Sequence, residues 1–508
     1  MNRYATIVGL EIHVRLKTAT KMFCRCPSVP ETAAPNSSIC PVCTGQPGAL
    51  PVLNEQAVRL GVRIGLALNG TIRDKASFDR KSYFYPDLPK GYQISQFDQP
   101  IVEGGALAVP TPLTKDGVRT IGITRAHLEE DAAKNIHDPA SGATLVDFNR
   151  AGAPLLEIVT DPDIRSPQEA KAFLQELQAL LRAIHASDAD MEKGYMRCDA
   201  NISLLPIDEE GHALQKEFNP KVEIKNMNSF RAVEHALQYE IRRQSEIYNA
   251  GGTASHETRG WDDPRGETVS QRSKESSADY RFFPEPDLPD IVLTRIREEE
   301  RAHLPELPAE KRARLVTEFA FAPEDASLIV ERGWSDFAEN VMGELGTWME
   351  ARDASGASAE TLMERSKPDL AKLLSNWLLN KLAAILNEKN LGIKDARIDA
   401  ENMAEFLQIV SEGAINSTNA QKLLQIMVET GADPSHIMEE QGLGQMNDEA
   451  GVIAMIDSVI QANPNQAEQV RGGKEPVLKW LVGQVMRTSE GRIDPKKAEE
   501  LLRKQLLG

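Results

Sequence analysis

The sequence predicts an α+β protein, with a largely antiparallel N-terminal domain followed by all-α helical and tail domains. Three observations predict this. Short β-type runs broken by Gly/Pro turns fill the chain to about Asp290, without the regular strand–helix alternation of a parallel fold. From about Ile291 the apolar pattern turns helical. Near residue 405 the composition shifts again. The expected domains are 1–292, 293–405 and 406–508, in keeping with 508 residues at roughly 150 per domain.

Strands are expected at Ala5–Leu16, Thr120–Thr124, Leu145–Phe148, Leu155–Val159 and Lys221–Lys225. Turn chemistry separates them at Asp87-Leu-Pro-Lys-Gly91, Gly104-Gly105 and Asp138-Pro139 through Gly142. Ser166-Pro167-Gln168-Glu169 offers an N-cap, a first-position proline and a capping-box glutamate. Phe173, Leu174, Leu177, Leu180, Leu181 and Ile184 then recur at helical spacing. Ser229 caps a second helix through Val233, Leu237 and Ile241. Ala309 to Lys389 reads as amphipathic helices. Between Glu401 and Val470, Lys422 is the only strong base. From Arg471 to Gly508 the bases outnumber the acids, and Asp494-Pro495 starts a last helix.

With 58 Lys+Arg against 76 Asp+Glu, the chain carries a formal charge of −18, which excludes a generally basic nucleic-acid coat but not a local basic patch. No apolar run approaches the ~18–20 residues of a membrane span, and no signal peptide is expected. Five cysteines make no disulfide scaffold, so the expected compartment is the reducing cytoplasm.

Cys24-x-Cys26 and Cys40-x-x-Cys43 have the pairing of a closed, structural zinc site, or are four unligated or redox-paired thiols. Cys198 is expected to be a buried apolar thiol. Glu11 and His13 alternate on one strand face; they are either site residues or surface polar groups. Glu129-Glu130-Asp131 adds acids at a strand end or loop. Glu157 lies inside an apolar run, where a carboxylate must be paired, ligated or at a sheet end. A histidine with several carboxylates would suit Mg²⁺ or Mn²⁺. Asp79 to Asp87 packs Arg80 and Lys81 with three aromatics, either for phosphate and base or as a plug in the core. Arg197, Asp199 and Asn201 make a polar strand face that either holds metal or phosphate or is merely solvated. There is no P-loop and no dinucleotide-binding glycine fingerprint.

Several segments together resemble one family, the B subunit of the aspartyl/glutamyl-tRNA(Asn/Gln) amidotransferase (GatB family). They are Val8-Gly-Leu-Glu-Ile-His-Val14, Phe78-Asp-Arg-Lys-Ser-Tyr-Phe-Tyr-Pro-Asp87, Tyr92 to Pro100 and His127-Leu-Glu-Glu-Asp-Ala132. Val146-Asp-Phe-Asn-Arg-Ala-Gly-Ala-Pro-Leu-Leu-Glu-Ile158, Arg197 to Ser203, Lys225 to Phe230, Glu257-Thr-Arg259, Asp279 to Leu288 and Gly491-Arg-Ile-Asp-Pro495 complete the set. Ala133 stands where the family is expected to have Gly, which puts a positive-φ loop there in doubt. Phe283 follows Phe282 where Tyr-Phe is common.

The resemblance implies a cradle-like N-terminal catalytic domain and helical and tail domains that grip tRNA. It implies a heterotrimer with an amidase A subunit and a small C subunit. Glu-tRNA(Gln) or Asp-tRNA(Asn), or both, would be phosphorylated by ATP on the side-chain carboxylate and then amidated with ammonia from the A subunit. His13, Glu130 and Glu157 would be the Mg²⁺ ligands, with Glu11 beside them among the catalytic residues. Lys81, Arg197 and Asp199 are candidates for neutralising phosphate, Asp199 also as a catalytic residue. The four cysteines would match the zinc knuckle of part of the family. In the tail, Arg492, Lys496 and Lys497 are the expected tRNA contacts, or else a solvated helix face. The alternatives are a non-catalytic tRNA-binding scaffold and a free-standing kinase of a small carboxylate.

Overall fold

The structure, a computed structural model, describes residues 3–115, 117–273, 280–352, 359–445, 449–489, 492–493 and 495–507. Asp279, Gly491 and Asp494, which enter the motifs above, lie outside the described residues. The chain divides into two compact units, Met1–Leu307 and Pro308–Gly508.

The first unit is built on one long sheet. Its main strands are β1 (Arg3–Arg15), β2 (Val118–Glu130), β3 (Pro154–Thr160), β4 (Met196–Ile207), β5 (Val222–Met227), β6 (Glu257–Asp262) and β7 (Glu267–Ser273). They lie in the order β7-β6-β5-β4-β1-β3-β2, and the short strands Val102–Glu103 and Thr71–Ile72 continue past β2. Only the β5–β6 pair is parallel among these main strands; the others are antiparallel. The expected α+β class with a largely antiparallel sheet is the observed one.

The sheet has two unlike faces because strand side chains alternate. On β1, Leu10, Ile12 and Val14 are buried. They share one apolar core with Val58, Leu60 and Ile64 of α1 (Glu55–Ala67), Phe173 and Leu177 of α2 (Pro167–Ala183), and Val233 and Leu237 of α3 (Phe230–Asn249). Glu11 and His13 point to the opposite face. Core packing on one side therefore fixes which polar residues stand on the other.

Both signalled helix starts form as their sequences require. Ser166 Oγ accepts the Glu169 amide at 3.1 Å, and Glu169 Oε2 accepts the Arg165 amide at 2.7 Å. Ser229 Oγ accepts the Ala232 amide at 3.0 Å. Such a cap contributes about 1 kcal/mol. Helix α4 (Thr294–Ala302) packs back on α1, where Arg59 and Arg63 meet Glu300 at 3.4 and 2.7 Å. The first unit accordingly extends to Leu307, beyond the expected limit at 292.

The second unit is helical from Pro308–Phe319 to Pro495–Leu507. One core runs from Leu315 to Leu443 and another from Val452 to Leu506. The expected limit at 405/406 falls inside the helix Ala400–Ser411, whose Phe406 meets Trp377 edge-on at 4.9 Å. Composition shifts there, but apolar packing continues across it. Among the described residues, no helix is long and apolar enough to cross a membrane.

Candidate active site

The polar face of the sheet brings together residues far apart in sequence. The register places His13 opposite Glu157 on one side and Arg197 on the other, and Glu11 opposite Asp199. Glu157 lies opposite His127, and Leu155 opposite Glu129. Residues two apart on a strand share a face, so His127 and Glu129 join His13 and Glu157. His13 Nε2 is 3.3 Å from Glu129 Oε1 and 3.5 Å from Glu157 Oε2.

The resemblance implied His13, Glu130 and Glu157 as ligands; the compact group holds Glu129 in place of Glu130. Glu130 faces away from the cluster: its carboxylate pairs with Lys90 and accepts the Ile94 amide at 2.9 Å. Alternation along β2 is the reason, since strand geometry continues to Glu130 rather than breaking into a loop before it. His13, Glu129 and Glu157 offer ligand atoms within 4.8 Å of one another, the spacing a single cation requires. One imidazole and two carboxylates fit a hard divalent ion.

The electrostatics of the cluster follow from pairing. Burial alone would lower His13, but hydrogen bonds and charge from Glu129 and Glu157 raise it to about 10. Burial alone would raise Glu129 and Glu157, yet both are held below the usual carboxylate range, Glu129 by His13 and Glu157 by His127 and His13. The cluster therefore favours two carboxylates facing positive charge.

The cluster opens on a cavity of about 500 Å³, lined by His13 and Glu129 and by further charged residues. Arg197 donates to Asp131 Oδ1 at 2.9 Å, and Asp131 holds its guanidinium above the ordinary value. Lys225 donates to Asp199 Oδ2 at 2.5 Å. Burial by itself would lower Lys225, but Asp199 and Glu223 raise it. Lys81 Nζ lies 4.9 Å from the Tyr280 ring centroid, at the cavity wall. Glu11 is not in the cluster; it accepts from Asn201 Nδ2 at 2.8 Å. Asp79–Ser82 form a short strand, and Tyr83, Phe84 and Tyr85 after it are exposed, so these aromatics do not plug the core. Asn226, at the end of β5 on the same cavity, has φ +66°, a left-handed position that asparagine tolerates.

Sequence reasoning named Glu129 and Asp131 among the acids beside Glu130 without giving either a role, and it missed His127 and Lys225 as cluster or cavity residues. The signal for Glu129 was present: His127-x-Glu129 has the same two-residue period as Glu11-x-His13. Lys225 was visible only as a motif member.

The four cysteines converge. Cys24, Cys26, Cys40 and Cys43 bring their sulfurs within 4.8 Å of one another, and Cys40 Sγ and Cys43 Sγ are 3.9 Å apart. A tetrahedral site with Zn–S near 2.3 Å has sulfur–sulfur edges of about 3.8 Å, so the donor set fits zinc. Cys43 is lowered to about 4, first by a hydrogen bond from Cys24 and also by Lys21, whose Nζ lies 3.5 Å from its sulfur. Burial raises Cys26 to about 11. Lys21 is fully buried and donates to the Ser38 and Phe148 carbonyls at 2.8 and 3.1 Å. It thereby ties the knuckle to the segment leading into β3. Cys198 is buried on the apolar face, as expected. Ala133 does not adopt positive φ, so alanine fits there without strain.

In the second unit, Lys496 is exposed, Lys497 half-buried, and Arg492 half-buried with Nε donating to the Ser489 carbonyl at 3.2 Å.

Comparison with known proteins places this geometry in context. Residues 6–298 match the GatB/GatE catalytic domain, and residues 359–506 match the GatB domain. The chain is 44% identical to the B subunit of the aspartyl/glutamyl-tRNA(Asn/Gln) amidotransferase of Crocosphaera subtropica, over 99% of this chain and 98% of that protein. The B subunit of the Carboxydothermus hydrogenoformans enzyme is 44% identical over 100% of this chain and 99% of its own. That of Halorhodospira halophila is 42% identical over the whole of both. The chain belongs to the family of aspartyl/glutamyl-tRNA(Asn/Gln) amidotransferase B subunits, and its first unit carries the catalytic domain of that family.

Proposed function

We propose that this chain activates the side-chain carboxylate of Glu-tRNA(Gln), Asp-tRNA(Asn) or both with ATP and then converts it to the amide. A carboxylate resists amidation because its leaving group would be oxide. In the first step its oxygen attacks the γ-phosphorus and the bond to ADP breaks. In the second, ammonia attacks the acyl carbon, phosphate leaves, and the extra proton passes to phosphate or solvent. The observation that carries this reading is the His13–Glu129–Glu157 cluster, whose His13 and Glu129 line a cavity shared with Lys81, Arg197 and Lys225.

His13, Glu129 and Glu157 are the residues that would hold Mg²⁺, which when bound neutralises phosphate charge. Arg197 and Lys225 present their cations to the same cavity. Asp131 and Asp199 orient them and keep them charged at every physiological pH. Lys81 adds a third cation at the wall. Such fixed charges need no reorganisation when phosphoryl charge moves. Tyr83, Phe84 and Tyr85, exposed beside this wall, offer rings on which a nucleobase can stack.

Ammonia comes from an amidase A subunit in a heterotrimer with a small C subunit. Zinc in the four-cysteine knuckle is structural, since four thiolates leave no open position. Arg492, Lys496 and Lys497 contact tRNA phosphates. The assembly works in the cytoplasm.

The test is amidation of mischarged tRNA by the assembled enzyme, with ammonium in place of glutamine. Ammonium bypasses the amidase, so the assay reads the chemistry of this chain. Conversion that requires both ATP and Mg²⁺ supports the proposal and identifies the acyl-tRNA used. Bound tRNA without conversion would favour a scaffold. Glu157→Gln should abolish amide formation while glutamine hydrolysis by the amidase continues; near-normal amidation would remove Glu157 from the mechanism.

A further inference from the structure

We infer that His127 is a positioning residue for the carboxylate cluster: its imidazole orients Glu157 without joining the ligand set. The inference rests on the metal-binding reading of His13, Glu129 and Glu157.

Glu157 sits on β3 between two histidines, His13 on β1 and His127 on β2, each directly opposite it in register. Its Oε2 lies 3.2 Å from His127 Nε2 and 3.5 Å from His13 Nε2. The two histidines differ in setting. His13 is partly open to the cavity and lies within the compact group of ligand atoms. His127 is buried, does not line the cavity, and stands outside that group.

The His127 ring makes one close polar contact, the 3.2 Å approach of Nε2 to Glu157 Oε2. Nε2 is 3.9 Å from Glu129, too long for a hydrogen bond, and Nδ1 is buried with no hydrogen-bond partner among the described residues. A core position filled for packing alone favours an apolar side chain, because a buried unpaired nitrogen is unfavourable. The contact to Glu157 is what the imidazole supplies and an apolar residue does not. With Nε2 carrying the proton, His127 donates to the carboxylate and holds it in one rotation. A carboxylate already fixed from behind loses less freedom when it takes up a cation. Partners of this kind behind metal ligands typically control affinity by about 10–100-fold.

Two conservative variants separate positioning from bulk and polarity. The terminal amide nitrogen of His127→Gln can occupy the Nε2 position and donate to Glu157. In His127→Asn the shorter amide reaches only the Nδ1 position. Both bury one amide, so a merely structural role moves them together. Mn²⁺ binding to the full-length chain, followed by loss of the free-ion electron paramagnetic resonance signal, is the first readout. The Mg²⁺ dependence of ammonium-driven amidation in the assembled enzyme is the second. His127→Asn should weaken Mn²⁺ binding by about 10–100-fold and raise the Mg²⁺ needed for half-maximal rate, with the KM for tRNA unchanged. His127→Gln should retain binding within a few-fold of wild type.

Equal Mn²⁺ binding by wild type and His127→Asn overturns the inference. So does a His127→Gln variant as defective as Glu157→Gln, which would make His127 a ligand. If wild type and Glu157→Gln hold Mn²⁺ equally, the metal-binding reading of the cluster falls, and this inference with it. A wild type that loses Mn²⁺ binding on Glu157→Gln but not on His127→Asn sinks the role of His127 alone.

Discussion

Glu129 and Glu130 are chemically identical neighbours with opposite settings. The pleat of β2 sends Glu129 to His13 and Glu130 to Lys90 and the Ile94 amide. If the cluster binds metal as proposed, Glu129→Gln should sharply weaken Mn²⁺ binding. Glu130→Gln should leave Mn²⁺ affinity within a few-fold of wild type while loosening the 83–91 loop. Electron paramagnetic resonance titration of the two variants checks this, and equal loss in both would contradict the side-chain directions. Lys21 shows the same dependence on position. A fully buried lysine is rare, and here its charge faces the Cys43 sulfur and two carbonyls. The chain should retain one zinc per molecule through dialysis and lose it on Cys40→Ser. Metal-free wild-type protein with an unchanged fold would refute the zinc site.

At the scale of elements, α3 is fastened to β6 and β7 by one buried carboxylate. Glu240 accepts from Arg243 Nε at 2.8 Å and Thr268 Oγ1 at 2.5 Å, and lies 3.2 Å from Arg259. Burial by itself would raise its pKa, but hydrogen bonds from Arg243, Thr268 and Gln244 hold it below the ordinary 4.5. Glu240→Gln weakens the pairing of two half-buried guanidinium groups, which keep only Glu257 as a carboxylate partner, and should destabilise the first unit by ~1–3 kcal/mol. The folded carboxyl is more acidic than the unfolded one. Its contribution is thus present above about pH 4.5 and lost as pH falls through the folded value. Urea unfolding of wild type and variant should show the largest difference near neutrality and a shrinking one below pH 4.5. A difference that grows on acidification would mean that Glu240 is protonated in the fold. The network also secures the edge of the sheet beyond β5, whose Lys225 faces the cavity.

At the scale of the whole molecule, the proposed function requires a chain of charge −18 to bind a polyanion. Long-range repulsion discourages non-specific contact, so affinity must come from local bases. In the tail, Arg503 is paired with Glu475 and Glu499 at 2.8 and 3.1 Å, which spends its charge within the fold. Arg492 precedes the helix Pro495–Leu507 and Lys496 and Lys497 lie in its first turn; these three are the proposed phosphate contacts. Reversing all three to glutamate should weaken tRNA binding by the assembled enzyme and flatten its log–log salt dependence by about 2–3. An unchanged slope would assign these residues to a solvated face. The two compact units each have their own apolar core, so this change should leave the unfolding of the first unit untouched.

Much of this architecture is written in local sequence. Alternation in Ala5–Leu16, the Ser166 and Ser229 caps and the helical spacing after Ile291 are local signals, set by side-chain period and backbone hydrogen bonding, and each formed where it was expected. The paired cysteines were legible because metal-ligand spacing is also local. The long motifs identified the family. Tertiary structure decided what depends on register. Only the pairing of β1 with β3, and of β3 with β2, makes Glu129 rather than Glu130 the neighbour of His13 and sets His127 behind Glu157. Only packing shows that α4 closes the first unit and that apolar contacts cross position 405. A strand's period is written in its own residues, but the partner that each residue meets is written in another strand.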